Sequence, residues 1–207
     1  MVLDKSKIKV VIFDWGGVCC REGEPFDSLD LQYTLNMNPD QIAEKVREIY
    51  NGYYIGKYDR DSFWRAIIQH FGLKENEKIN SIVLSSAYLS SYEIYPEVFE
   101  VIKKLKLKYK IGLLSNLTPE MREHIRFKYN LKDYFESEVY SCDSDLESMK
   151  PNFKPYQLIL KKLDVLPEAT LFIDNSSKNI KAAETLGFNV ILFKNVPQFL
   201  KEINFLL

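Results

Sequence analysis

The chain carries short apolar runs that stop abruptly at polar residues. Residues 7–14 (KIKVVIFD) are largely β-branched and aromatic and end at Asp14-Trp15-Gly16-Gly17. A run of this kind bounded by glycines predicts a strand buried on both faces, as in a parallel sheet. Residues 110–115 (KIGLLS), 169–174 (ATLFID) and 189–193 (NVILF) read the same way, and the less apolar 137–141 (SEVYS) makes a fifth strand. Amphipathic helices fall between them. Pro96 opens one at the favoured first helical position, with Val98, Val101, Ile102 and Leu105 on a single face. Tyr156, Ile159, Leu160 and Leu163 repeat that spacing, and residues 176–186 form a third helix closed by Gly187. Strands alternating with helices predict an α/β fold, a parallel doubly wound sheet whose ligands bind beyond the carboxyl ends of the strands.

One connection breaks the rhythm. The stretch between Asp14 and Lys110 is several times longer than a single crossover helix needs. Within it Ile42, Val46, Ile49 and Tyr50 make one helical face, Phe63, Ala66, Ile67 and His70 another, and residues 77–90 a further helix. This predicts a helical cap (21–92) inserted into a core made of 1–20 and 93–207. Its hinges are expected near Gly23-Glu24-Pro25 and near 92–96.

Composition narrows the class. The 207 residues carry a net charge of −1, which gives no reason to expect nucleic acid or an anionic membrane as a partner. A content of 46% hydrophobic residues is enough for a real core. The apolar run that ends at Phe13 is far too short to span a bilayer, and no signal-peptide cleavage pattern follows it. Cys19, Cys20 and Cys142 cannot make a disulfide framework, and only His70 and His124 could join them in a zinc site. The expectation is a reduced, cytoplasmic protein, monomeric or homodimeric.

The strand ends carry the chemistry. Asp14 alone could be a turn residue. Ser115 ends the second long run (LLSN), Lys150 precedes Pro151 just before a helix (SMKPN), and Asp174 ends a third run (LFIDN). A carboxylate nucleophile, a hydroxyl, an ammonium and a second carboxylate, in that order, are what phosphoryl transfer through an aspartyl-phosphate requires.

These residues bear a family resemblance. VIFDWGGV (11–18), LLSN (113–116), MKP through Tyr156 and FIDN (172–175) resemble, in order, the four motifs of the haloacid dehalogenase superfamily, with Gly187-Phe188 beyond the last motif helix. The branch they resemble holds glucose-1-phosphate phosphatases and the phosphatase domains joined to epoxide hydrolases. The resemblance implies a Rossmann-like core with a helical cap in the first insertion position. It implies a phosphatase for a small phosphorylated metabolite, with Asp14 attacking phosphorus. Mg²⁺ would be held by Asp14, the Gly16 carbonyl and Asp174, oxygen ligands suited to a hard cation. Ser115 and Lys150 would bind the phosphoryl oxygens, helped by Asn116 and the peptide N–H of Gly17.

The sequence departs from the family pattern at three places. The usual second Asp, the acid–base two residues after the nucleophile, is Gly16, as in some members of that branch. Asn175 and Lys178 stand where acids are frequent. These departures keep two alternatives open. One is a metal-independent 2-haloacid dehalogenase, which Asp174 argues against; the other is a catalytically impaired binding or regulatory protein. Arg21, at the core-to-cap junction, could reach a substrate anion. The lysines from 103 to 110 read as a solvated helix end, His70 and the cysteines as packing residues, and Tyr50, Tyr53, Tyr54 and Tyr58 as lining or packing of the cap.

Overall fold

The structure is a computed structural model that describes residues 5–21, 26, 28–90 and 92–207. The predicted hinge at Gly23-Glu24-Pro25 lies outside the described residues. Five parallel strands form the core sheet in the order β5-β4-β1-β6-β7: β1 (Val10–Phe13), β4 (Lys110–Ser115), β5 (Ser137–Tyr140), β6 (Thr170–Asp174) and β7 (Asn189–Leu192). A short antiparallel pair, β2 (Cys20–Arg21) and β3 (Glu93–Ile94), makes a second sheet. Among the described residues five helices lie between the two strands of that pair: α1 (Leu29–Leu35), α2 (Pro39–Lys45), α3 (Arg47–Tyr54), α4 (Arg60–His70) and α5 (Ser81–Ser90). The remaining helices are α6 (Pro96–Leu105), α7 (Pro119–Tyr129), α8 (Phe153–Leu163), α9 (Ser177–Thr185) and α10 (Val196–Ile203).

Strand periodicity explains the layers. Val11 and Phe13 of β1 point to the face covered by α6, α7 and α10, and that cluster runs without a break into the helices between β2 and β3. Val10 and Ile12 point to the opposite face, where Tyr156, Ile159 and Leu163 of α8 pack with Ile180 and Ala183 of α9. Gly112 lets α8 press on the sheet: a Cβ there would come within 2.8 Å of Leu163. Because both faces are covered, β1 and β6 are buried throughout and read as continuous apolar runs.

The structure trims and adds to the predicted elements. The first strand begins at Val10, and the third long run begins at Thr170 after a 3-10 turn (Pro167–Ala169). The helix expected over 77–90 starts at Ser81, because the Asn80 side chain accepts from the N–H groups of Ile82 and Val83 and so opens the helix there. His70 ends α4 as an exposed residue, its ring against Phe71, rather than within an apolar face. Among the described residues no helix is long and apolar enough to cross a membrane.

Candidate active site

In this strand order β1 lies between β4 and β6, and the chain adds β4 and β5 on one side before it crosses to β6 and β7 on the other. Ligands of open parallel sheets bind beyond the strand ends at such a point. Asp14 directly follows β1, Ser115 ends β4 and Asp174 ends β6, so the three predicted residues lie on adjacent strand tips. Lys150 comes from the connection that crosses from β5 to β6.

The four side chains form one contact set. The Ser115 hydroxyl donates to Asp14 Oδ1 at 2.6 Å. Lys150 Nζ lies 3.0 Å from the same oxygen and 2.6 Å from Asp174 Oδ2, and it donates a third bond to the Leu114 carbonyl at 2.9 Å. All four are buried. Burial and the nearby Asp174 charge push the Asp14 carboxyl up to about 7, against the pull of Lys150 and Ser115. Burial opposes the charge on Lys150, yet the two carboxylates together raise its pKa above the usual lysine value.

The turn after Asp14 is tightly bonded. The Trp15 N–H donates to Asp14 Oδ1 at 2.7 Å, and the Trp15 carbonyl accepts from the N–H groups of Val18, Cys19 and Cys20. Gly17 has φ +73° and donates its own N–H to the Cys20 carbonyl. A Cβ on Gly17 would fall 2.1 Å from the Asn175 amide nitrogen, so the turn rests directly on the end of β6. The Asn116 amide bonds both the N–H and the carbonyl of Lys150. What the structure gives Gly17 and Asn116 is thus a framework role: one closes the turn and the other holds the lysine's backbone. Arg21 ends β2 opposite Glu93 and is exposed.

The remaining departures also find places. Lys178 is exposed. The residue that reaches Asp174 from α9 is Asn179, whose Nδ2 lies 3.1 and 3.0 Å from the two carboxylate oxygens, while the Ser176 N–H donates to Oδ1. Sequence reasoning missed Asn179. Its signal was position, since it lies one turn before the buried Ala183 on the helix face that meets the sheet. Cys19, Cys20 and Cys142 are buried thiols.

A divalent cation fits this donor set. Two buried carboxyl groups share one ammonium, so once Asp14 is ionised the centre carries a surplus negative charge. Asp14 Oδ2 and the Gly16 carbonyl accept no hydrogen bond from the described residues. No group of three or more His, Cys, Asp or Glu side chains gathers into a metal site among those residues. A cation here would draw on two carboxylates, a peptide carbonyl and water, which suits magnesium better than zinc.

Comparison with known proteins places this arrangement. Pyrophosphatase PpaX of Bacillus mycoides is 25% identical over 173 residues, covering 78% of this chain and 80% of its own. A HAD family enzyme of Bacteroides thetaiotaomicron superposes with a TM-score of 0.80 at 20% identity, over 95% of this chain and 98% of that one. The wild-type form of that enzyme in complex with magnesium and inorganic phosphate superposes at 0.76 and 23% identity, over 90% and 94%. The L-2-haloacid dehalogenase of Xanthobacter autotrophicus shares the fold at 0.62 and 20% identity, over 95% and 82%. Residues 8–187 match the haloacid dehalogenase-like hydrolase family from the first strand to the glycine after the last motif helix. With its strand-end carboxylates, hydroxyl and lysine in the order read from the sequence, the chain belongs to the haloacid dehalogenase-like hydrolases.

Proposed function

We propose that this hydrolase is a magnesium-dependent phosphatase acting on a small phosphorylated metabolite. The observation that carries the reading is the placement of Lys150 Nζ between Asp14 Oδ1 and Asp174 Oδ2. This arrangement supplies positive charge beside the nucleophile and leaves Asp14 Oδ2 without a partner among the described residues. In this reading the Asp14 carboxylate attacks phosphorus in line, and its bond to phosphorus forms as the ester oxygen departs. Ser115 and Lys150 then hold the phosphoryl oxygens, whose charge grows in the transition state. Water cleaves the aspartyl-phosphate, restoring the carboxylate and releasing phosphate. Asp14, the Gly16 carbonyl and Asp174 would hold magnesium, which when bound offsets the phosphoryl charge. Asn116 acts by fixing Lys150, and Arg21 offers a cation at the rim.

Residues 21–92 are taken as the cap and 1–20 with 93–207 as the core, supported by the pairing of β2 with β3 at the base of α1 to α5. The relatives named pyrophosphatase support a small phosphorylated substrate, and pyrophosphate belongs in the test panel. The dehalogenase reading is disfavoured by Asp174, a carboxylate aimed at the lysine that a metal-free reaction does not need.

The test is a panel of phosphate esters and pyrophosphate with wild type and Asp14→Asn, with and without EDTA, alongside 2-chloropropionate. Phosphate release that needs both Asp14 and magnesium is the expected result. Chloride release that persists in EDTA would transfer the assignment to dehalogenation.

A further inference from the structure

The segment from Ser115 to Glu120 is bonded to the catalytic groups at one end and to the cap helices at the other. Ser115 bonds Asp14, and Asn116 bonds Lys150. Leu117 exchanges hydrogen bonds with the Ser141 hydroxyl. The Thr118 hydroxyl accepts from the Met121 N–H and lies 3.2 Å from the Tyr88 hydroxyl of α5. Glu120, in the first turn of α7, then reaches into the cap. Its Oε2 accepts from the Tyr53 hydroxyl at 2.6 Å and from Trp64 Nε1 at 3.3 Å, and its Oε1 accepts from the Ser85 hydroxyl. These donors come one each from α3, α4 and α5.

The energetics make this a demanding contact. Glu120, Tyr53, Trp64 and Ser85 are all buried, and among the described residues no ion pair reaches the carboxylate. A desolvated carboxylate is tolerated when hydrogen bonds to it are complete, and becomes costly when they are lost. The helix start adds favourable dipole and nothing that selects a cap position. A surface acid at a helix N-terminus would need only that dipole; three cap donors converging on one buried carboxylate need the cap in one place. A second seat lies nearby: a Cβ on Gly56, just past α3, would come within 2.8 Å of the Cys142 carbonyl.

We propose that Glu120 is a positioning residue that registers the cap on the Ser115–Lys150 pair, so that seating the cap and aligning the phosphoryl-binding groups are one event. The catalytic half of this inference rests on the phosphatase reading; the cap-seating half does not. A shift of Glu120 is passed along a short segment, held at Leu117 by Ser141, to Ser115 and Asn116, and misplacement of about 1 Å at reacting groups can cost on the order of a hundredfold in rate.

The test compares Glu120→Gln, Glu120→Ala and Tyr53→Phe in the full chain, with p-nitrophenyl phosphate as substrate and acrylamide quenching of tryptophan fluorescence as the second readout. Gln keeps an acceptor for Tyr53 and Trp64, and its amide can donate to the Ser85 hydroxyl, which is free to reverse. E120Q should therefore hold kcat within about threefold of wild type, a change of well under 1.36 kcal/mol. E120A should lower kcat by about tenfold or more, with a smaller change in KM. Trp15 and Trp64 are fully buried, so quenching should be weak in wild type and E120Q and should rise in E120A. A folded E120A with wild-type kcat, or with unchanged quenching, would overturn the proposal. So would an E120Q as impaired as E120A, because that result would assign the effect to charge rather than to seating. If E120A does not fold, Tyr53→Phe decides, since it removes one donor and keeps the ring: lower kcat with stronger quenching supports the inference, and wild-type values in both refute it. An inactive wild type would refute the phosphatase reading alone, and quenching would still decide whether Glu120 seats the cap.

Discussion

Lys150 Nζ lies 2.6 Å from Asp174 Oδ2, closer than to any other side-chain oxygen it contacts, including Asp14 Oδ1 at 3.0 Å. The lysine is therefore anchored from the β6 side and presented to Asp14, the proposed nucleophile. Lys150→Ala should lower kcat on p-nitrophenyl phosphate by about 10²- to 10³-fold, because charge developing on the phosphoryl oxygens loses its compensation. It also leaves two buried carboxylates without their ammonium, so the folded protein should gain more thermal stability from added magnesium than wild type does. Near-normal kcat would move phosphoryl binding elsewhere. Lys154 is a poor substitute, since its ammonium is bonded to the carbonyls of Asp145 and Leu146.

Asn179 fixes the other side of the same carboxylate. Its amide contacts both Asp174 oxygens, so rotation of that carboxylate requires breaking these bonds. Asn179→Ala should raise the magnesium concentration for half-maximal activity by about tenfold, the usual scale for loss of a group that orients a ligand. The measurement is a magnesium titration at saturating substrate. An unchanged midpoint would mean that Ser176 and Lys150 orient Asp174 unaided.

Gly17 is constrained twice, by its φ of +73° and by the Asn175 amide where its Cβ would lie. Gly17→Ala should destabilise the fold by about 1–3 kcal/mol and lower activity by displacing the turn that carries Asp14. Asn175→Ala removes the collision and leaves the dihedral cost, so Gly17→Ala should cost less in that background than in wild type. Thermal unfolding of Gly17→Ala, Asn175→Ala and the double variant decides. A double variant whose loss equals the sum of the two single losses would assign the whole cost of Gly17→Ala to the backbone.

How much of this was legible in the sequence follows from the signal each residue carries. Strands β1, β4 and β6 stand out because both their faces are buried, so nearly every position is apolar until a polar site residue ends the run. Strands β2 and β3, two residues each, are too short to show any period. Helix α7 buries Met121 and Ile125 behind a mostly polar sequence, so its apolar stripe is thin, although Thr118-Pro119 announces its start. The four site residues could be read because a carboxylate, a hydroxyl, an ammonium and a second carboxylate rarely end successive buried strands and their connections unless they act together. Glu120 and Asn179 could not, because an acid in a first helical turn and an Asn on a helix are ordinary surface choices. Only the tertiary contacts show them buried, Glu120 bonded to Tyr53, Trp64 and Ser85 and Asn179 to Asp174.

Gly16 decides which esters should be cleaved well. With no carboxylate at that position, protonation of the departing oxygen is poorly assisted, a contribution typically worth about 10²- to 10⁴-fold. Substrates with acidic leaving groups need that help least, so aryl and acyl phosphates, pyrophosphate and anomeric sugar phosphates should be hydrolysed faster than simple alkyl phosphates. The second step suffers too, because no acid at this position deprotonates the water that attacks the aspartyl-phosphate. With p-nitrophenyl phosphate the phenolate should therefore appear in a burst, with phosphate accumulating on Asp14 before the steady state. Gly16 is not among the glycines with positive φ, so a side chain there brings no left-handed backbone strain. Gly16→Asp should then raise kcat on alkyl phosphates and shrink the burst. A preference for alkyl esters with no burst would show that another group supplies the proton, because only an acid in place can make a poor leaving group depart readily.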